Sequence, residues 1–141
     1  MGLDYGRKRI GVAQSDELKF MAHAVGFVSN RDNNDAIEAI KKLATKCSAE
    51  KIVVGFPATM KGEVGIQGKV VLKFVELLSQ AVSCEVVTWD ERLTTAEAEK
   101  ILLAHDISRA KRKLRRDAIA AEIMLQSYID YLKGRKDVDN V

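Results

Sequence analysis

Proline occurs once in this chain, at Pro57, and histidine and cysteine only twice each. Cys47 and Cys84 stand alone, without the paired spacing of a zinc site. A chain of 141 residues can bury a core without a covalent staple. Both cysteines are therefore read as small, buried apolar residues in a reducing compartment rather than as a disulfide. His23 and His105 are isolated and read as structural or exposed, so there is no imidazole or thiolate cluster for a soft metal. No apolar run approaches the roughly 18 residues of a membrane helix, and no basic opening leads into an apolar leader. The expectation is a cytoplasmic protein with no membrane partner. An excess of either charge is also lacking, since the net value is only +3. Its distribution is more telling: residues 109–116, RAKRKLRR, gather six cations in eight positions. Such a cluster is usually a solvated face, but it is also how contact with a phosphate backbone begins.

What the chain does have is a regular alternation of short apolar runs and helical periods. GLDY, RIGVAQS and roughly HAVGFVS are β-type runs whose separators are too short for crossover helices, so they form antiparallel hairpins. NNDAIEAIKKLATK has Ile37, Ile40, Leu43 and Ala44 at helical spacing, with Asn33, Asn34 or Asp35 available as its cap. KIVVGF is a fourth strand, stopped by Gly55, Phe56 and Pro57. A glycine-containing loop, a helix over Ile66–Ala81 and a fifth strand, CEVVTW, follow. Thr94 and Glu97 make a capping-box pattern that predicts a further helix. The last helix carries DAIAAEIMLQSYIDYLK and is expected to end at Gly134. The fold class is thus α/β, a mixed five-stranded sheet of three antiparallel hairpin strands and then two parallel ones, flanked by helices. Residues 1–133 form one domain, and 134–141 a flexible C-terminal tail.

Three acids sit where such a fold gathers ligands. Asp4 ends the first strand, and Asp90 and Glu91 end the last. Ligands of open sheets collect at the carboxyl ends of parallel strands. Asp117 falls inside the apolar arc of the final helix formed by Leu114, Ala118, Ala121, Leu125, Tyr128, Ile129 and Leu132, and so faces the sheet. Glu122, Gln126 and Lys133 lie on the other side. Each acid has an ordinary explanation alone: Asp4 as a turn residue, Asp90 or Glu91 paired with Arg92, Asp117 paired with Arg115, Arg116 or Arg7. Together they would repel one another unless cations intervene. Two divalent ions about 3.5–4 Å apart, held by shared carboxylates, activate water and stabilise a leaving oxygen in phosphodiester cleavage. Hard oxygen donors favour Mg2+ or Mn2+. Neighbours on a strand point to opposite faces, so only one of Asp90 and Glu91 should join Asp4. The pattern leaves both open; Glu91, with the longer reach, is preferred.

GLDYGRKRIGVAQSD, IVVGFPATMKGEVG, DERLTTAEAE and DAIAAEIMLQSYID, in that order, resemble the four blocks of the YqgF/RuvX family of pre-16S rRNA nucleases, once labelled Holliday junction resolvases. The resemblance covers almost the whole chain. It implies an RNase H-like fold, a metal-dependent endonuclease site and maturation of the 5′ end of 16S rRNA. It also implies that Asp4, Glu91 and Asp117 are catalytic metal ligands, with Asp90 adjacent. The chain departs from the family at Arg7, where a small hydroxyl residue is common, at Lys61-Gly62, where Asp-Gly is frequent, and at Val64. Gly55 stands where resolvases of this fold place an acid, which weakens a junction-resolving reading.

Around the acids, Arg7, Arg9, Arg92, Lys61, Arg112, Arg115 and Arg116 are the candidate contacts to nucleic acid. A guanidinium grips phosphate with two bonds, and the basic run would draw RNA in with a salt-sensitive contribution. Loop 57–68 reads equally as a long connection or a flap over the substrate. The expected partner is RNA, or branched DNA in the alternative reading, bound by a monomer or weak homodimer. Asp-x-Gly-x-x-x-Ile-Gly-Val also resembles the phosphate-gripping hairpin of actin- and Hsp70-like ATPases, but those close two such domains on a nucleotide. A noncatalytic RNA-binding assembly factor is the remaining reading.

Overall fold

Three short apolar runs joined by tight turns pair as an antiparallel meander, and two later runs add in parallel beyond its first strand. The structure, a computed structural model, describes residues 1–57, 61–94 and 116–139, without the side chains of 135–139. The elements are β1 (Gly2–Asp4), β2 (Arg9–Ser15), β3 (Ala22–Ser29), α1 (Asn33–Lys46), β4 (Lys51–Phe56), α2 (Ile66–Ala81), β5 (Glu85–Asp90), a 3-10 turn (Glu91–Leu93) and α3 (Arg116–Asp139). The sheet order is β3-β2-β1-β4-β5. β1 is antiparallel to β2 and parallel to β4, and β4 is parallel to β5. The expected mixed sheet is therefore present.

Strand alternation sorts the side chains into two cores. Leu3, Ile10, Val12, Ile52 and Val54 point to the face covered by α1 and α2, where they meet Ile37, Ile40, Phe74 and Leu78. Ala13, Val53 and Trp89 point to the opposite face and meet Ala121, Met124, Leu125 and Ile129 of α3. Asp32 caps α1, its side chain accepting from the backbone N–H of Asn34 at 2.8 Å. The cap thus lies one residue before the three candidates, where the extended backbone still lets a carboxylate fold back onto the first turn.

One irregularity governs β3. Val12 pairs with Gly26 but Ala13 pairs with Ala24, which leaves Val25 as an unpaired extra residue, a β-bulge. Gly26 beside it has φ +153°, a conformation side chains rarely take.

Three expectations are corrected. Cys47 is exposed rather than buried, because it is the C-terminal cap of α1. α3 continues beyond Gly134 to Asp139, since Gly134 does not adopt the left-handed conformation that would end it. Gln126 was expected on the solvent side of α3 but is only 3% exposed. Its side chain accepts from the backbone N–H of Ala22 at 2.8 Å and donates to the carbonyl of Phe20 at 3.1 Å, which ties the helix to the start of β3. The helix predicted from Thr94 falls outside the described residues. Among those described, no helix is long and apolar enough to cross a membrane.

Gln126→Leu keeps the bulk but orphans the buried N–H of Ala22. It should destabilise the protein by about 1–3 kcal/mol in urea denaturation; an unchanged midpoint would show that this link is dispensable.

Candidate active site

Side chains of β1 alternate, so while Leu3 and Tyr5 enter the core under α1 and α2, Gly2 and Asp4 face α3. A Cβ on Gly2 would lie 2.8 Å from Leu125 Cβ of that helix. Asp4 is thereby placed at the carboxyl end of β1, half-buried and beneath the start of α3.

Glu91 reaches the same place from the end of β5. Val87 and Trp89 belong to the α3-side core, and Glu91 continues their face. Its carboxylate lies over Gly55 of β4, where a Cβ would come within 2.7 Å of Oε1. Glycine at the end of β4 thus clears the volume that the glutamate occupies. Asp4 and Glu91 are joined by a side-chain hydrogen bond. Two carboxyl groups can bond in this way only if one carries a proton. Burial first of all, then the hydrogen bond to Glu91 and the charges of Glu91 and Asp117, together raise the Asp4 carboxyl from 3.8 to about 7.

Asp90, by contrast, pairs across to Phe56, which packs against the α1–α2 core, and turns away from Asp4. It caps the 3-10 turn, accepting from the backbone N–H of Arg92 at 2.9 Å and from its Nε at 3.0 Å. The Arg92 guanidinium holds the Asp90 carboxyl below its usual range. The choice left open by the pattern resolves geometrically: Glu91 meets Asp4, and Asp90 meets Arg92.

Asp117 lies in the first turn of α3, which settles directly on the backbone of β2. A Cβ on Gly11 would lie only 1.8 Å from the Asp117 carbonyl oxygen, so no other residue fits there without moving the helix. Gly11 is the β2 partner of Asp4. This close approach brings Asp117 within electrostatic reach of Asp4. Its side chain, 31% exposed, pairs with Arg9, Nε to Oδ2 at 3.1 Å, rather than with Arg7 or Arg116.

The three acids therefore share one sheet edge in two linked pieces, a protonated Asp4–Glu91 pair and an Asp117–Arg9 ion pair. Among the described residues no three His, Cys, Asp or Glu side chains are gathered tightly enough to hold an ion as they stand. The donor chemistry nevertheless fits a hard divalent cation. It is made of carboxylate oxygens alone, and a proton and a guanidinium already supply positive charge to it.

The other basic candidates divide by place. Arg7 is exposed in the β1–β2 turn, Arg116 at the start of α3 and Lys61 in the loop after β4. Gly62, with φ +79°, puts that loop against Arg92, whose guanidinium lies 3.6 Å from where a Cβ would be. Arg112 and Arg115, with the rest of 109–115, and residues 58–60 of the loop lie outside the described residues. Sequence reading passed over Asn30, which is buried and holds the basic turn. It donates from Nδ2 to the carbonyl of Gly6 and from its N–H to that of Lys8, both at 2.8 Å. Gly11 and Gly55 were missed as clearances too, although glycine inside a strand signals a close neighbour.

Residues 1–131 match the family model described as RuvX, Holliday junction resolvase. A protein of Caldanaerobacter subterraneus subsp. tengcongensis named "Putative pre-16S rRNA nuclease" is 45% identical over 135 residues, 95% of this chain and 97% of the relative. One of Halothermothrix orenii with the same name is 42% identical over 93% of this chain and 94% of its own length. The chain belongs to the RuvX family. Its fold is RNase H-like, as in RuvC of Thermus thermophilus (TM-score 0.51, 14% identity, 94% of this chain and 95% of that one). The Holliday junction resolvase of fowlpox virus is similarly alike (TM-score 0.53, 11% identity, 92% and 97%).

Two outcomes follow from the geometry. Gly11→Ala should lift α3 from β2 and cost about 1–3 kcal/mol in urea denaturation; parent-like stability would mean that the contact yields freely. The second concerns pH. Asp4 holds its proton up to about 7 when folded, against 3.8 ordinarily. The stability this confers is full below the lower value, declines as pH rises between the two and is lost above the higher. Asp4→Asn cannot ionise, so without divalent ions it should melt several degrees above the parent at pH 8 and match it more closely at pH 5. Equal differences at both pH values would refute the shared proton.

Proposed function

We propose that this protein is a divalent-metal-dependent endonuclease that trims the 5′ end of pre-16S rRNA in the cytoplasm, as a step in ribosome biogenesis. The observation that carries the proposal is the half-buried Asp4–Glu91 pair, whose Asp4 carboxyl is pushed up to about 7, with Asp117 held beside it by the Gly11 contact. Carboxylates concentrated to the point of retaining a proton near neutral pH suit a site whose working charge balance includes cations. The names of the relatives support the substrate, and Gly55, in place of an acid at the end of β4, favours RNA over a DNA junction. Residues 1–133 are proposed to be the catalytic domain.

Asp4, Glu91 and Asp117 would hold Mg2+ or Mn2+, which when bound supplies an activated water and charge stabilisation at the leaving oxygen. The chain's own groups do the rest. Arg9 is half-exposed, and its guanidinium, paired with Asp117 at the rim, is within the reach of a substrate phosphate. Arg7, Arg116 and Lys61 surround the edge with positive charge. Arg92 is anchored by Asp90 and lies against Gly62, which fixes the loop after β4 at the rim of the site. Asp90 serves as a positioning residue.

Purified protein should cut a 16S precursor only with Mg2+ or Mn2+ present. Asp4→Asn and Asp117→Asn should each lower the rate at least about a hundredfold, the upper end of what loss of a merely supporting group costs, with circular dichroism unchanged. Cleavage of a four-way DNA junction but not of the precursor would transfer the activity to DNA. Tight precursor binding without cutting under either metal would make the protein an assembly factor.

A further inference from the structure

Phe27 is 52% exposed on the edge strand β3. Single exposed apolar side chains are commonplace, but this one is delivered to its position by the bulge. Ala22 packs on the α3 side of the sheet, and uninterrupted alternation would send residues 24, 26 and 28 to that side and Phe27 to the other. The extra residue Val25 reverses the order. Val28, opposite Ile10, enters the α1–α2 core. Phe27, opposite Gly11, comes out on the face of the acids.

The pairing rows then fix its distance from the site. Phe27 stands across from Gly11, and Gly11 across from Asp4. Two strand spacings put the two backbones roughly 10 Å apart, on one face of the sheet. Gly11 between them is covered by the first turn of α3, so the route from Phe27 to the acids runs over Arg9 at the start of β2. Arg9 links the ends physically: its guanidinium is 5.5 Å from the centroid of the Phe27 ring and its Nε is 3.1 Å from Asp117. An open aromatic ring, a guanidinium on it and the acids beyond form one continuous track.

We propose that Phe27 is a stacking platform for an unpaired base of single-stranded RNA, with Arg9 binding the adjoining phosphate, and that it orients the strand toward the acids. The direction of the strand rests on the nuclease reading; the stacking does not. Flat aromatic rings accept any base by its π-face, and arginine beside the ring adds both charge and a planar stacking surface. A base paired in a duplex has no free face to offer, so the platform selects single-stranded segments next to the cut.

The test is fluorescence anisotropy with a short fluorescein-labelled single-stranded RNA and its duplex, without divalent ions so that nothing is cut. Phe27→Ala should weaken single-strand binding roughly tenfold, leave duplex binding unchanged and keep the salt dependence of the parent. Phe27→Leu, which retains apolar bulk but no ring, should lose as much, and Phe27→Trp should restore binding. Arg9→Gln should flatten the plot of log affinity against log salt by about one unit. The half-exposed ring can be replaced without emptying the core, and circular dichroism checks the fold of each variant. Parent-like binding by Phe27→Leu, equal losses on duplex and single strand, or no single-strand binding by the parent would each overturn the platform. Precursor cleavage that persists in such a case leaves the nuclease reading standing. Phe27-dependent binding by a protein that cuts nothing supports the platform and removes the nuclease.

Discussion

The seat of α3 on Gly11 is the contact on which the geometry of the sheet edge depends. Helices normally stand about 10 Å from a sheet because side chains fill the gap. Here the carbonyl of Asp117 descends almost to the β2 backbone, because a hydrogen atom is all that Gly11 presents. Small residues further along continue the approach: Ala13 on β2 and Ala118 and Ala121 on α3 are all buried. Gln126 fixes the far part of the same helix by bonding the backbone at the start of β3. The helix is thus held both close and in register, and Asp117 inherits its position from those restraints.

Electrostatics then sets the character of the place so formed. Burial alone penalises ionised Asp4, and each additional carboxylate adds to the penalty. The protein answers with a proton inside and a guanidinium at the rim. Both are replaceable, one by exchange with solvent and the other by rotation of an exposed side chain. Asp90 belongs to a different economy, since its charge is spent on capping and on Arg92. Two adjacent acids at one strand end consequently serve two functions, one in shaping the turn and one in facing the sheet edge.

The sheet and the convergence of acids were legible because both rest on short-range pattern. The hairpin separators of β1–β3 and the apolar periods of α1 and α2 each declare themselves within a dozen residues. Val87 and Trp89 also predict the face of Glu91, once it is known which face carries Asp4. Gln126 was misread because helical periodicity ranks residues by apolarity, and an amide bonded at both ends can occupy a core position at little cost. Arg9 as the partner of Asp117 was hidden for another reason: nothing in the sequence ranks it above Arg7, Arg115 or Arg116, and only the position of β2 under α3 chooses. The bulge at Val25 left no mark in composition beyond the glycine that follows it. It could be found only from pairing.

That bulge also bears on how the gene for such a protein can drift. Orientation in a strand repeats every second residue, so a single residue gained or lost normally exchanges inside for outside over the rest of the strand. The unpaired Val25 absorbs that step: without it Ala24 and Gly26 would still face Ala13 and Val12, Phe27 would stay opposite Gly11 and Val28 opposite Ile10. One codon can thus be lost at the bulge, on the margin of the sheet, without turning the core face to water.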